Sequence, residues 1–523
     1  MNYRVVVGQL GLLFALLGMI MIATAAVFTA VELFEIRDDP AHTALIALAT
    51  TGAVGTILGW LAWFSTRNAP GFLGRREALL LVASSWIFGA ALAASPYFVW
   101  AHLGADAAGM ADHPFRSPVN AYFEAMSGLT TTGATVLTRI ESLPSPLLLW
   151  RALTHWLGGL GIVVLFVAVL PGLGVGGKRI FNVEAPGPSP EGLQPHIRET
   201  ARWLWYIYLG LSVAMATALW IATPLDIFDS VCHTFATLAT GGFSTQNASI
   251  GAYASTVSVD IIVIPFMILA GTNFNLFYKL VRGRAREVFK DTELRLYLCL
   301  LGAGALLVTL AVWFSDNPIV MTTGEQIEST LGASARQAVF TTVSVQTTTG
   351  FATSDFNLWP FLAKAVLIML MFVGGCAGST AGGIKVIRVW AAFKILLAEI
   401  EHVFRPKVVR PVRFGKTAMD PELKLGTLAF VLGVIMLFVL GSGSIMLLEG
   451  LNPDSDCSYT TAATSAIATL CTIGPGLEAV GAVENYGWFS APSKIVLTLL
   501  MLLGRLEIFA IIVLFSHRFW RDD

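Results

Sequence analysis

Ten apolar runs, each about 20 residues or longer, bound what this 523-residue chain can fold into. They fall at roughly 8–31, 42–64, 79–100, 145–170, 201–223, 258–280, 294–315, 361–390, 425–448 and 493–516. A helix that crosses a bilayer needs about 20 predominantly apolar residues, so ten spans are expected. The composition agrees. Hydrophobic residues make up 55% of the chain and charged residues 13%, the latter about half the share found in a soluble domain. The first run starts near Gly8 and is too long for the apolar core of a signal peptide; it reads as a retained helix. A net charge of −1 leaves no strongly basic face for a nucleic acid. The five cysteines, Cys232, Cys299, Cys376, Cys457 and Cys471, contain no CxxC pair and offer neither a disulfide framework nor a metal cluster.

The segments between the runs sort by charge. With the N-terminus in the cytoplasm, one side collects Arg4, then Arg67, Arg75 and Arg76, then Lys178, Arg179, Arg198 and Arg202. The same side takes the basic stretch from Lys279 to Arg295, the longer one from Lys385 to Lys424, and Arg518 and Arg521 at the end. Cytoplasmic loops carry the excess of Lys and Arg, so both termini are expected in the cytoplasm.

On the opposite side, four segments begin polar and continue as semi-apolar stretches too short to span. The first reads SPVNAYFEAMSGLTTTGAT, with Ser117 and Pro118 where an N-cap and a first-turn proline belong. The helix behind them, roughly 11 residues long, covers about half a bilayer. It runs into a Thr/Gly loop at Gly133. TPLDIFDSVCHTFATLATGGFST repeats the layout at Gly242, LGASARQAVFTTVSVQTTTGFAT at Gly350 and CSYTTAATSAIATLCTIGPGLE at Gly474. The glycines recur at intervals of about 110 residues, the last somewhat longer, and each lies between two spans. The repeating unit is therefore span, half-helix, Thr/Gly loop, span. The expected divisions are an N-terminal two-helix extension over 1–75 and repeats over 76–180, 181–290, 291–415 and 416–523.

Irregular backbone at membrane depth survives only where protein buries it or where it lines a wet cavity. Four loops converging on one axis bring together carbonyls that lack helix partners, and such a ring can replace the hydration shell of a cation. Glycine lets the loops approach and turn their carbonyls inward. Each half-helix would aim its partially negative C-terminus at the centre. The ion-contacting candidates are Thr131, Thr132, Gly133, Gly241, Gly242, Thr348, Thr349, Gly350, Thr472, Ile473 and Gly474. The alternative is that each Thr/Gly cluster is a small-residue helix-packing site, a reading that four equivalent occurrences disfavour.

At these residues the chain resembles the Trk/Ktr/HKT superfamily of potassium transporters, and within it the Trk-type membrane subunits of bacteria. HWLGGLGI (His155 to Ile162), GGCAGSTAGGIK (Gly374 to Lys385) and GRLEIF (Gly504 to Phe509) carry the likeness further. The two extra N-terminal runs favour the Trk branch. The resemblance implies an all-α polytopic membrane protein of four pseudo-symmetric span–pore-helix–span repeats, in the bacterial inner membrane. It also implies a homodimer with one pore per protomer, K+ as the transported ion, and a separate cytoplasmic nucleotide-binding ring of the TrkA type that controls the gate. Four filter glycines favour potassium over sodium. Pro475 in the fourth loop fixes its own φ and lacks a donor, so the ring is expected to depart from fourfold form.

Five glycines, Gly374, Gly375, Gly378, Gly382 and Gly383, interrupt the eighth run. That density breaks a helix and matches the family's intramembrane gating loop; close helix packing through Gly374 and Gly378 is the alternative. Lys385 closes the motif. Arg505 falls in the middle of the tenth run, with Glu507 two residues on and on another helix face. An ionisable residue there is costly. The resemblance implies a fixed charge below the filter; a buried ion pair joining two spans is the other reading.

His155 and His233 read as hydrogen-bonded structural histidines, and Glu32, Glu35, Asp38, Asp39, Asp106 and Asp112 as solvated outer charge. The basic, proline-interrupted stretch at about 391–424 suits contact with anionic lipid. No HExxH, no paired intramembrane aspartates and no Cys/His cluster supports an enzyme. No GxGxxG after a strand and no P-loop supports nucleotide binding, so any nucleotide dependence lies in the partner. A proton- or sodium-coupled symporter on the same architecture remains open beside a gated uptake pore.

Overall fold

A computed structural model describes residues 1–33, 42–68, 74–104, 112–159, 161, 197–406, 412–414, 417–453 and 455–521. The second half of the fourth run, Lys178, Arg179, Lys407, Arg410, Glu35, Asp38, Asp39 and Asp106 lie outside those residues. The described residues are mostly helical, because a backbone in lipid must satisfy its own hydrogen bonds. Among the described residues, six helices are long and apolar enough to cross a membrane: α1 (Tyr3–Leu33), α2 (His42–Thr66), α3 (Arg75–Leu103), α6 (Ile197–Ala222), α10 (Thr292–Trp313) and α14 (Pro421–Gly450). Counting each bent pair as one span raises the number to eight.

Between them stand four half-length helices: α4 (Pro118–Leu129), α7 (Ile227–Leu238), α11 (Leu331–Gln346) and α15 (Tyr459–Leu470). Three start on a side-chain cap: Asp226 accepts from the Asp229 amide, Thr330 from Ala333 and Ser458 from Thr461. Ser117 occupies the equivalent position before α4, but its side chain makes no cap bond; Pro118 at the first turn sets that start instead.

After each half-helix comes a second helix: α5 (Ser145–Gly159), α8 (Val257–Ala270) with α9 (Phe274–Val281), α12 (Phe361–Phe372) with α13 (Val386–Phe404), and α16 (Ala491–Arg505). The break after α12 is the one its glycines lead one to expect; two other second helices depart from the straight runs expected. The axes of α8 and α9 meet at 98°, and those of α16 and Phe509–Phe515 at 113°. The segment 373–385 separates α12 from α13. Gly271 and the glycines of 374–383 account for two of the breaks, since glycine is a poor helix former. The third has no glycine: Glu507 and Ile508 hold φ of 54° and 60°, and for a β-branched residue that is a strained backbone.

Packing is cyclic. The helix after each loop lies against the next half-helix: α5 on α7, α8 on α11, α12 on α15, and α16 back on α4. Lys494 of α16 seals the last joint by donating to Asn120 Oδ1 of α4 at 2.8 Å. Outside this ring, α1 and α2 pair through a glycine seam, where a Cβ at Gly18 would lie 2.4 Å from the Gly52 carbonyl oxygen.

A similar approach joins α5 to the end of α4: a Cβ at Gly158 would sit 1.8 Å from the Leu129 carbonyl oxygen. Gly504 repeats it against Leu470, also at 1.8 Å. Gly158→Ala is therefore expected to push α5 off α4, costing on the order of 1–3 kcal/mol. A lowered thermal midpoint in detergent is the measurement; an unchanged one contradicts the close approach.

Candidate functional site

All four half-helices end in the same way. The residue after the C-cap, Thr131, Thr240, Thr348 or Thr472, holds φ between 53° and 57°. Its amide donates three residues back, to Gly128, Thr237, Val345 or Thr469. The next amide, of Thr132, Gly241, Thr349 or Ile473, donates five residues back at 2.8–2.9 Å. This pair of bonds is a Schellman motif, whose left-handed position glycine normally occupies. Threonine there is strained by on the order of 1–3 kcal/mol, and it occurs four times. One residue further, Gly133, Gly242, Gly350 and Gly474 return to positive φ, at 81°, 79°, 79° and 99°.

The loops close a ring. A Cβ at Gly133 would lie 2.0 Å from the Gly241 carbonyl oxygen, one at Gly242 2.1 Å from Thr349 O, and one at Gly350 1.9 Å from Ile473 O. Gly474 completes the circuit against Thr132 O at 2.8 Å. Each glycine is thus required twice, by its φ and by a neighbouring loop's carbonyl. The fourth loop keeps the pattern of the others despite Pro475, with a φ about 20° larger and a looser joint to the first. Above the ring opens a cavity of about 250 Å³ lined by all four glycines together with Arg151, Asn247 and Tyr486.

All the loop residues expected from sequence meet here. Thr240 was missed, although it occupies the same left-handed position as Thr131. The side chains that hold the loops were missed too. Glu124 of α4 and Arg151 of α5 form an ion pair at 2.7 Å, with side chains 0% and 1% exposed. Glu124 also accepts from the Val136 amide and Thr135 Oγ1, while Arg151 donates to Ser244 O and lies over the Phe243 ring at 3.9 Å. The pair ties the first loop to the second, and removing one partner would leave an uncompensated buried charge. His155 of α5 reaches the second loop. It is fully buried, with Nδ1 at 2.7 Å from Gly128 O and Nε2 accepting from the Phe243 amide. In the third loop Ser344 Oγ donates to Phe351 O at 2.7 Å. His233, also buried, bonds Asp229 O and Ser244 Oγ.

Beneath the ring lies the segment 373–385. Its ends are pinched together, with the Gly374 amide donating to Ile384 O and the Ile384 amide to Phe372 O, both at 3.0 Å. Gly374 faces Gly382 across this pinch rather than another helix: its Cβ would lie 1.9 Å from the Gly382 carbonyl oxygen. The segment reaches the threonines beside this pinch, since the Gly382 amide donates to Thr348 Oγ1 at 2.7 Å. Glu293 Oε1, at the start of α10, accepts from the Ala377 and Ile387 amides and so fastens the loop and the start of α13. Lys385 is buried and its Nζ donates to Ala381 O. Gly375 and Gly378 pack on Gly271 and Asn273, beside the break between α8 and α9.

Arg505 is the last residue of α16, at the break rather than in mid-helix. Its guanidinium donates to Thr380 O of the loop at 2.8 Å and to Gly158 O and Gly159 O at 2.5 and 2.8 Å. One side chain thereby bridges the loop and the carbonyl end of α5, where a cation is favoured. Glu507 turns the other way and pairs with Arg388 of α13 at 2.6 Å.

Long apolar helices around a ring of backbone loops define a polytopic helical membrane protein. The family model described as TrkH, cation transport protein, matches residues 45–522. The Trk system potassium uptake protein TrkH of Escherichia coli (strain K12) is 35% identical over 478 residues, 91% of this chain and 92% of the relative. Its namesake in Halomonas elongata is 36% identical over 524 residues, covering 100% of both chains. The crystal structure of the potassium transporter TrkH from Vibrio parahaemolyticus superposes with a TM-score of 0.82 at 32% identity, covering 100% of both chains. The chain belongs to the TrkH family of cation transport proteins, ion transporters rather than enzymes.

Gly350→Ser would place a side chain against Ile473 O in a left-handed backbone. We expect potassium-over-sodium discrimination to fall about tenfold or more, read as rubidium and sodium uptake at matched protein level. Unchanged uptake of both ions contradicts the ring assignment.

Proposed function

We propose that the protein carries potassium ions across the bacterial inner membrane through the ring formed by the four glycine loops. The observation that carries this reading is the closed circuit of glycine–carbonyl contacts from Gly133 to Gly474 and back. Backbone carbonyls in a ring replace water around a weakly hydrated cation without any fixed negative charge. The loops offer backbone carbonyl oxygens together with threonine hydroxyls as the donor set. The relatives' description as potassium uptake proteins supports potassium as the ion.

In this reading the chain has ten spans and four re-entrant loops, divided as an extension over 1–75 and repeats over 76–180, 181–290, 291–415 and 416–523. The ion contacts are Thr131, Thr132, Gly133, Gly241, Gly242, Thr348, Thr349, Gly350, Thr472, Ile473 and Gly474, now with Thr240. The hydroxyls of Thr131 and Thr472 have no hydrogen-bond partner among the described residues, which suits an innermost ion layer.

The segment Gly374–Lys385 is the gate. Docked on Thr348 and latched by Arg505, it obstructs the path below the filter; opening requires Arg505 to release Thr380 or the α5 end. The protein works as a homodimer with both termini in the cytoplasm. Its gate answers to a nucleotide-binding ring of the TrkA type, a role that the relatives' designation as parts of a Trk system supports.

Arg505→Ala is expected to raise potassium flux several-fold in proteoliposomes. Loss of membrane expression instead would make the arginine a structural clamp. A reversal potential that follows the potassium gradient alone marks a pore; one that also follows the proton or sodium gradient marks coupled transport.

A further inference from the structure

Side chains bind each loop beyond its filter glycine: Glu124 accepts from the Val136 amide, His155 from the Phe243 amide and Thr464 from the Leu477 amide, while Ser344 donates to Phe351 O. The fourth loop alone has proline directly after its glycine, so that position has no amide to hold. Its joint to the first loop is also the loosest of the four, 2.8 Å against 1.9–2.1 Å for the Cβ approach. A different residue occupies this seam. Tyr486 is 2% exposed, and its hydroxyl donates to the carbonyl oxygen of Gly474 itself at 2.7 Å. Its amide donates to Thr135 O of the first loop at 2.8 Å. The ring is locked between Phe123 and Phe489, with centroids 5.7 and 5.8 Å away.

We propose that Tyr486 is a specificity-positioning residue, whose hydroxyl fixes the Gly474 carbonyl at the joint between the fourth and first loops. The proposal rests on the reading of the four loops as the ion filter. Ring geometry discriminates potassium only while its carbonyls stay too far apart to close on the smaller sodium ion. The phenol hydrogen bond occupies one acceptor direction of Gly474 O and draws that oxygen toward Tyr486. Without it, the fourth carbonyl is free to follow sodium inward, at the joint with the most room to give.

The test uses the full-length protein in proteoliposomes under bi-ionic potassium/sodium conditions. Y486F keeps the ring and its aromatic contacts and removes only the hydroxyl. We expect its potassium-to-sodium permeability ratio to fall about fivefold, the order set by one neutral hydrogen bond, with thermal stability lowered only by the loss of that one bond. Y122F serves as control, because that hydroxyl bonds the Ile87 carbonyl away from the loops; its ratio should not move. A parental ratio in Y486F while G350S is impaired overturns the role of Tyr486 and leaves the filter reading standing. An equal fall in Y486F and Y122F also overturns it, as a general effect of losing a phenol. If G350S itself retains the parental ratio, the filter reading fails first.

Discussion

Four contacts between a glycine of one loop and a carbonyl oxygen of the next hold the centre of this molecule together. Each leaves no room for a Cβ, so the loops meet backbone to backbone. That closeness forces the surroundings to be rigid, because a carbonyl has no rotamer with which to yield. The cyclic packing of each second helix on the following half-helix supplies the rigidity. The seams at Gly158 and Gly504 repeat the same contact one layer down, between helix and helix end. The strained threonines belong to this arrangement as well: a left-handed residue after each half-helix turns the chain so that the glycine arrives at its neighbour. Their strain persists because the packing around them over-determines the backbone.

The repeat and its glycines were legible in the sequence because a period of about 110 residues is visible without any contact being known. The glycine-dense segment 374–383 was legible for a similar reason: no helix accommodates it in lipid. Thr240 escaped notice because the second loop reads Thr-Gly-Gly, which draws attention to the glycines and away from the residue that carries the strain. The break at Leu506, Glu507 and Ile508 was invisible, since none of the three is a helix breaker and the apolar run continues through them. The partners of Arg505 and Glu507 were equally hidden. Thr380 is 125 residues away in sequence from the first, and Arg388 119 from the second. No spacing rule links positions brought together only by ring closure.

The region below the loop ring shows what a cation at a helix terminus can do that an ion pair cannot. Arg505 holds carbonyls from α5 and from the loop, so its attachment is made of several charge-assisted hydrogen bonds to neutral acceptors, which can be exchanged singly for water. The Arg388–Glu507 pair next to it is of the other kind, charge against charge, with Phe430 under the guanidinium at 4.0 Å. Glu293 contributes a third arrangement, one carboxylate oxygen shared by the loop at Ala377 and the start of α13 at Ile387. The loop is therefore tied by one acid at Ala377, by an arginine at Thr380 and by a threonine hydroxyl at Gly382.

The four loops share a backbone but not their supports: a carboxylate–guanidinium pair, an imidazole, a serine hydroxyl and a proline-adjacent phenol. An ancestral duplication leaves copies that are interchangeable; these copies have lost that property. A loop transplanted from one repeat into another would bring its glycine to the right place and find the wrong fastener behind it. The internal symmetry visible in the chain is thus a symmetry of shape alone, and each quarter of the ring now answers to its own chemistry.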